Sequence, residues 1–228
     1  MSQAAGSGAA FVRVEELLLP ARDLGAALHL ALRAPGPGER AARLGLLGAG
    51  LPALALLSRA DRRLRRRLLG LACRGLSRDR IELLLREHWD RHLSGRLRPA
   101  GLTLVERARA EGKRLVLVSA SLAGALEPLR ERLGAEALLG DELEWREGLA
   151  TGRLLEPLPP GGVAAWARAR GIDLGGSCAW GTDLGDEPFL RAVRWPCAVS
   201  PDAALRRLAD QEGWPVLLPE PAPAGGPA

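Results

Sequence analysis

The sequence predicts an α/β fold in which a doubly wound parallel sheet carries an inserted, all-helical cap. Three observations predict it. From about residue 100, short apolar runs alternate with segments of helical periodicity, an order typical of a parallel sheet covered by helices on both faces. Residues 20–99 are instead rich in Leu, Ala and Arg spaced three and four apart, which favours a purely helical segment. The 228 residues are enough for both parts.

Each element follows from its local pattern. Strands are expected at 9–14, 115–119, 137–143, 177–181, 197–200 and 215–218, and residues 143–155 alternate around Gly148 as an antiparallel flap. Helices are expected at 21–33, 62–75, 77–93, 101–114, 121–135, 163–171, 186–193 and 201–213, with Ser77 as the N-cap of the third. The predicted organisation is a flexible tail at 1–10, a core from 11–19 and 100–218, a helical cap at 20–99, and a Pro/Gly-rich disordered tail at 219–228.

The composition restricts the chemistry that is available. Of the 32 basic residues only Lys113, just before the second predicted strand, is a lysine, and arginine does not replace lysine as a proton carrier or Schiff base. Cys73, Cys178 and Cys197 form no C-x-x-C pair, so we expect buried free thiols and a reducing, cytoplasmic compartment. The N-terminus lacks the pattern of a secretory signal.

An apolar run at 44–57 precedes a basic run at 59–67 that contains six arginines. The apolar run is shorter than the ~20 residues that span a bilayer, so a buried or interfacial helix pair is expected. The basic run is either a solvated helix face or a peripheral contact with an anionic membrane or another polyanion. The six tryptophans are scattered without a nucleic-acid-binding motif, so nucleic acid is not an expected partner.

One further pair of residues has metal-compatible spacing. His88 and His92 lie four residues apart on one predicted helix. Because no third ligand lies near them in the sequence, we interpret them as a surface or packing pair.

The order of the segments is itself distinctive. A first strand and a helical insertion are followed by LVLVSAS, a flap ending in TGRLL, AWGTDLGDEPFL, and finally CAVSPDAALRRLADQEGWPVL. This arrangement, over residues 9–218, resembles the phosphoserine-phosphatase-like branch of the haloacid dehalogenase superfamily. The resemblance implies a Rossmann-like core and a Mg²⁺-dependent phosphohydrolase with four catalytic motifs.

The first motif of that family, D-x-D-G-T, supplies an aspartate nucleophile and, two residues later, an aspartate acid/base. Aligned with it, FVRVEELL places Arg13 at the nucleophile and Glu15 at the acid/base, with Glu16 for the glycine and Leu17 for the threonine. A guanidinium cannot form an acyl phosphate. Glu15 is one methylene longer than aspartate, and a displacement of about 1 Å can cost on the order of 10²-fold in rate.

The other motifs are retained only in part. Ser119 matches the family's phosphoryl-binding hydroxyl after the second strand, but residues 159–166 contain no lysine where the family has one. In GTDLGDEP, Thr182 replaces a metal-binding aspartate, Asp186 matches the second carboxylate, and Asp183 stands one residue late. Asp183 and Asp186 are the only metal ligands the resemblance leaves; their simpler role is to stabilise a loop and a helix N-terminus.

Three functional hypotheses follow. The first is a noncatalytic, pseudophosphatase-like binding, scaffolding or assembly component with a protein partner and no cofactor. The alternative is a weak or unusual Mg²⁺-dependent phosphomonoester hydrolase using Glu15, Asp183 and Asp186. The second alternative is a membrane-surface or polyanion-binding adaptor acting through 44–67.

The degenerate pocket has two possible states. Arg13 and Ser119 could bind a phosphate, a sulfate or a partner's carboxylate. Alternatively Arg13 pairs internally with Glu15, Asp183 or Asp186, which the excess of carboxylates favours.

Overall fold

The computed structural model describes residues 7–218 except 21–24, 34–35, 39, 43, 46–47, 49–61 and 161. The strands of this part of the chain are β1 Ala9–Arg13, β2 Arg114–Leu122, β3 Ala137–Arg146, β4 Leu149–Leu155, β5 Cys178–Gly181, β6 Trp195–Val199 and β7 Val216–Leu217. They form one sheet in the order β4-β3-β2-β1-β5-β6-β7. All neighbouring strands are parallel except β3 and β4. The predicted doubly wound parallel sheet is therefore confirmed.

Helices lie between the strands and in the predicted insertion. The α-helices are α1 Gly25–Leu32, α2 Arg62–Cys73, α3 Arg78–His88, α4 Pro99–Ala110, α5 Ala123–Arg132, α6 Gly162–Ala169, α7 Glu187–Ala192 and α8 Ala203–Glu212, and a π-helical turn, Trp89–Leu93, follows α3 directly. No helix in the described ranges is both long enough and apolar enough to cross a bilayer. The helix pair predicted at 44–57 lies largely outside the described residues, and the tail at 219–228 lies wholly outside them.

Strand β1 is the centre of the core. All five of its residues are buried. Ala10 and Val12 pack in one apolar cluster, while Ala9 and Phe11 pack in another, because successive side chains of a strand point to opposite faces. This two-sided burial explains why the first four residues of the strand are all apolar.

The predicted N-terminal tail and the predicted cap at Ser77 each differ in part from the structure. The tail predicted at 1–10 is too long, because Ala9 and Ala10 are fully buried and pair with β2. The strand predicted at 9–14 already included both residues, and β1 does begin at Ala9. Ser77 is the N-cap residue of α3, as predicted, and is extended, but its side chain makes no capping hydrogen bond. Its backbone instead forms an isolated bridge with Leu149.

The flap predicted at 143–155 is confirmed as the hairpin of β3 and β4. Glu147 and Gly148 connect the strands with φ angles of 50° and 77°. Two consecutive positive φ angles match the twist of a tight two-residue hairpin, and glycine adopts them without steric cost.

All three cysteines, Cys73, Cys178 and Cys197, are buried and unbridged, as predicted. Burial raises the pKa of Cys178 to about 11 and also raises the pKa of Cys197. Both thiols therefore stay protonated at neutral pH and are poor nucleophiles or metal ligands.

Strand β1 lies between β2 and β5, where the strand order reverses. In an open parallel sheet the crevice outside the carboxyl ends of the strands at such a point is the usual ligand site. The residues that follow β1, β2 and β5 therefore meet there.

Candidate functional site

The segment after β1 carries the first site residues. Arg13 ends the strand, and Glu15 follows on the same side because side chains alternate. At Glu16 the chain turns with a φ of 64°, a conformation that favours glycine. The resemblance places a glycine of the family motif at this position. Arg98 holds Glu16 instead, because its guanidinium donates to the backbone oxygen and to Oε2, each at 3.0 Å.

Arg13 is buried, with 2% of its surface exposed, and each of its three nitrogens faces a different carboxylate. Nε lies 3.0 Å from Oε2 of Glu15, Nη1 lies 2.9 Å from Oδ1 of Asp186, and Nη2 lies 3.4 Å from Oδ2 of Asp183. We call these four residues the Arg13 network. The structure thus shows the internal pairing that the excess of carboxylates favoured.

The second carboxylate oxygen of Glu15 binds the C-terminal end of β2. Its Oε1 accepts hydrogen bonds from Ser119 Oγ at 2.6 Å, from the Ala120 backbone N–H at 2.9 Å and from Ser121 Oγ at 3.0 Å. These donors become available because β2 continues to Leu122, so that α5 begins at Ala123 and not at the predicted residue 121.

Glu15 is held in its charged form. Burial alone would raise its pKa, but the Arg13 guanidinium and the hydroxyls of Ser119 and Ser121 lower it more. The pKa of Glu15 therefore lies below its usual value of 4.5. A charged glutamate therefore accepts from the Ser119 hydroxyl, which the family resemblance assigns to a phosphoryl group.

The loop after β5 completes the network. Oδ2 of Asp186 accepts from the backbone N–H groups of Thr182 at 2.8 Å and Asp183 at 3.3 Å, and Oδ1 of Asp183 accepts from Gly185 N–H at 2.7 Å. These bonds form a capping box, as expected for residues that stabilise a loop and a helix start. Gly181 is required here, because a Cβ atom at this position would lie 2.8 Å from the Cβ of Asp186.

The residues present do not fit a magnesium ion. Mg²⁺ requires near-octahedral oxygen coordination, commonly with one or two carboxylates. The guanidinium of Arg13 is 2.9 Å from Asp186 and 3.4 Å from Asp183, and therefore already brings a positive charge to both carboxylates. The hydroxyl of Thr182, at the position of the family's metal-binding aspartate, donates to the backbone oxygen of Glu15 at 3.3 Å.

A cavity of about 200 Å³ lies over Arg13 and Ser119 and is also lined by Arg66 of α2. Nε of Arg66 lies 3.0 Å from Oδ2 of Asp141, and Nη1 of Arg66 lies 2.9 Å from Oε1 of Glu156. The sequence analysis missed Arg66 and Asp141 as pocket residues. In the sequence, the only indication of Arg66 is the basic run at 59–67. That run predicts a helix face that contacts solvent, an anionic membrane or another polyanion.

No lysine takes part in this pocket. Lys113 precedes β2, and its Nζ donates to the backbone oxygen of Gly176, which precedes β5. Both residues lie at the amino ends of their strands, opposite to the Arg13 network. The segment before α6, where the resemblance expects a lysine, contains none.

The expectation that His88 and His92 have no third ligand nearby is wrong. His29 of α1 joins them, and one ring nitrogen of each histidine lies within 4.8 Å of the other two. Sequence spacing could not show this, because the contact arises from the packing of α1 against α3.

Comparisons with known proteins agree with this fold. Over 157 residues the chain is 30% identical to the inhibition of morphological differentiation protein of Streptomyces azureus, covering 67% of this chain and 57% of that protein. It is 31% identical over 110 residues to a phosphoserine phosphatase of Mycobacterium tuberculosis, covering 46% of this chain and 36% of that protein. A histidinol-phosphatase of Neisseria meningitidis is 27% identical over 150 residues, covering 62% of this chain and 68% of that protein. The chain thus spans about half, or less, of several of the curated relatives it matches.

Solved structures share the architecture. A protein of unknown function from Bordetella pertussis superposes with a TM-score of 0.72 at 24% identity, covering 93% of this chain and 99% of the other. A phosphoserine phosphatase in apo form superposes with a TM-score of 0.56 at 14% identity, covering 92% of this chain and 93% of the other. At these identities the likeness shows the fold alone. The sequence profile of haloacid dehalogenase-like hydrolases matches residues 18–191, and the chain therefore belongs to the haloacid dehalogenase-like hydrolase family.

Proposed function

We propose that this chain is a noncatalytic member of the family, which acts as a binding or assembly component for another protein. The observation that carries the proposal is the Arg13 network at the carboxyl end of β1. Covalent phosphoryl transfer needs a nucleophilic carboxylate at this point. A guanidinium stays protonated in proteins and accepts no hydrogen bond, so it has no electron pair to offer to phosphorus.

The hydrogen bonds of Glu15 support the same proposal. A phosphoryl group that entered the pocket would compete with the Glu15 carboxylate for Ser119 Oγ and the Ala120 N–H. Displacing Glu15 would also separate it from Arg13 and leave a buried charge without its partner, which is strongly unfavourable. The pocket also has no lysine that could bind the phosphoryl group, since Lys113 is the only lysine of the chain and lies at the opposite ends of the strands.

The second candidate is a Mg²⁺-dependent phosphomonoester hydrolase using Glu15, Asp183 and Asp186. The comparisons favour this candidate over the noncatalytic one, since the named relatives include a phosphoserine phosphatase and a histidinol-phosphatase. The contacts of the Arg13 guanidinium with three carboxylates favour the noncatalytic candidate. We give greater weight to Arg13, because the named phosphatases share only a minority of residues with this chain. Among the described residues, Arg13 and no carboxylate stands at the end of β1, where the family has its nucleophile.

A turnover assay separates the two candidates. The purified chain with Mg²⁺ is incubated with p-nitrophenyl phosphate, phosphoserine and histidinol phosphate, and phosphate release is measured. We expect no release above the rate of the Glu15→Gln variant, which keeps the size of the side chain but removes its charge. Mg²⁺-dependent release by the wild type that Glu15→Gln or Asp183→Asn abolishes would establish the hydrolase instead.

A further inference from the structure

The three histidines of the chain meet in the helical insertion. His29 comes from α1, His88 ends α3, and His92 lies in the π-helical turn. The ring centroids are 5.4 Å apart for His29 and His88, 6.0 Å for His29 and His92, and 5.1 Å for His88 and His92. We call these residues the histidine cluster. It lies outside the Arg13 network and shares no residue with it.

The histidine cluster combines buried ligands with an open entrance. His29 and His88 are buried, at 8% and 2% exposure, whereas His92 is exposed. All three line one cavity of about 590 Å³, whose rim includes Leu28 and Arg96. An ion could therefore enter from solvent and meet the two buried histidines.

The backbone that carries His92 is unusual. The N–H of Ser94 donates to the oxygen of Trp89 at 2.9 Å, a bond that spans five residues and not the four of an α-helix. Such π-helical turns are rare and occur frequently at functional sites. Here the turn directly follows His88 and contains His92.

A carboxylate supports the buried side of the cluster. Oε2 of Glu87 lies 3.4 Å from Nε2 of His29. Oε1 of Glu87 lies 3.0 Å from Nη2 of Arg33 and 2.8 Å from Nη2 of Arg91. Metal-binding histidines almost always donate their second ring nitrogen to such an oxygen acceptor. Glu87 lies where it could accept from His29, although the two form no hydrogen bond in this structure. The single negative charge of Glu87 offsets one of the two positive charges of Arg33 and Arg91. Arg96 adds a further positive charge at the cavity wall.

We propose that His29, His88 and His92 bind one divalent transition-metal ion, Zn²⁺ being the best match, with a fourth position open to water or a small ligand. Imidazole nitrogens suit Zn²⁺, and three histidines with one open position form a known tetrahedral arrangement. Metal–nitrogen bonds of about 2.0–2.1 Å bring the ligand nitrogens to roughly 3.3 Å from one another. The ligand nitrogens of the cluster all lie within 4.8 Å of one another, so binding requires them to approach by at most about 1.5 Å. A bound ion would link α1 to α3.

The test uses the full chain after treatment with a chelator. Zn²⁺ alone is titrated by calorimetry, and thermal unfolding is followed with and without Zn²⁺. We expect one Zn²⁺ per chain, a higher Tm with Zn²⁺, and at least a tenfold loss of affinity in His92→Ala, which should fold normally because His92 is exposed. Asp90→Asn, which changes an exposed carboxylate on the same turn, is the control and should bind like the wild type. An absence of saturable binding, or equal affinity in the wild type and His92→Ala, would overturn the proposal.

Discussion

The side chain at position 13 sets the chemistry of the pocket. Where the family motif has a carboxylate, this chain has a buried cation within 3.4 Å of three carboxylates. The same three carboxylates also accept hydrogen bonds from the C-terminal end of β2 or from the loop after β5. Arg13 therefore links the ends of three strands as well as replacing the nucleophile.

Replacing Arg13 with alanine should be strongly destabilising, because it leaves buried carboxylates without their counter-charge. We expect the free energy of unfolding in urea at pH 7 to fall by about 3–5 kcal/mol. Arg206→Ala is the control, since Arg206 forms an exposed ion pair with Asp210 at 3.3 Å and should lose less than about 1 kcal/mol. Equal losses in the two variants would contradict the structural role of Arg13.

Glu15 should make the stability of the protein depend on pH in the acidic range. Its pKa in the folded protein lies below its usual value of 4.5, so the unfolded chain binds more protons as the pH falls. Its contribution is therefore present above pH 4.5 and is lost as the pH falls through the folded pKa. The difference in unfolding free energy between wild type and Glu15→Gln should be largest at neutral pH and shrink below pH 4.5. A difference that stays constant from neutral pH to pH 3 would refute this role of Glu15.

At the scale of elements, the close approach of α2 to β4 positions Arg66 over the pocket. Arg66 and Gly70 are four residues apart and so share one face of α2. Nη2 of Arg66 donates to the backbone oxygen of Leu154 at 3.2 Å. A Cβ atom at Gly70 would lie 2.1 Å from the backbone oxygen of Gly152, so only glycine allows this contact.

Gly70→Ala should therefore move α2 away from the hairpin. Alanine normally stabilises a helix by about 1 kcal/mol relative to glycine, but here the clash with backbone outweighs that gain. We expect a lower Tm than in the wild type. Gly95→Ala, at a position where a Cβ atom meets nothing within 4 Å, is the matched control and should leave the Tm nearly unchanged. A Tm for Gly70→Ala at or above that of the wild type would rule out this packing.

At the scale of the whole molecule, the parallel sheet followed from the alternation of apolar runs and helices, and the altered motifs followed from aligned positions. The pairing of Arg13 could also be predicted from the sequence, because parallel strands end at the same edge of a sheet. The hydrogen bonds from Ser119 and Ser121 to Glu15 could not be predicted, since they depend on where β2 ends. Likewise, nothing local in the sequence indicates that Arg66 reaches Asp141, or that His29 packs against α3; both contacts arise only when distant helices pack together.

The response of the protein to Mg²⁺ tests the central claim most directly. If Arg13 provides the positive charge that the carboxylates need, millimolar Mg²⁺ should leave the Tm of the wild type unchanged. In Arg13→Ala the same carboxylates lack that charge, so Mg²⁺ should raise the Tm of the variant by binding its folded state. A rise in the Tm of the wild type that Asp186→Asn abolishes would instead show that the pocket binds metal with Arg13 in place.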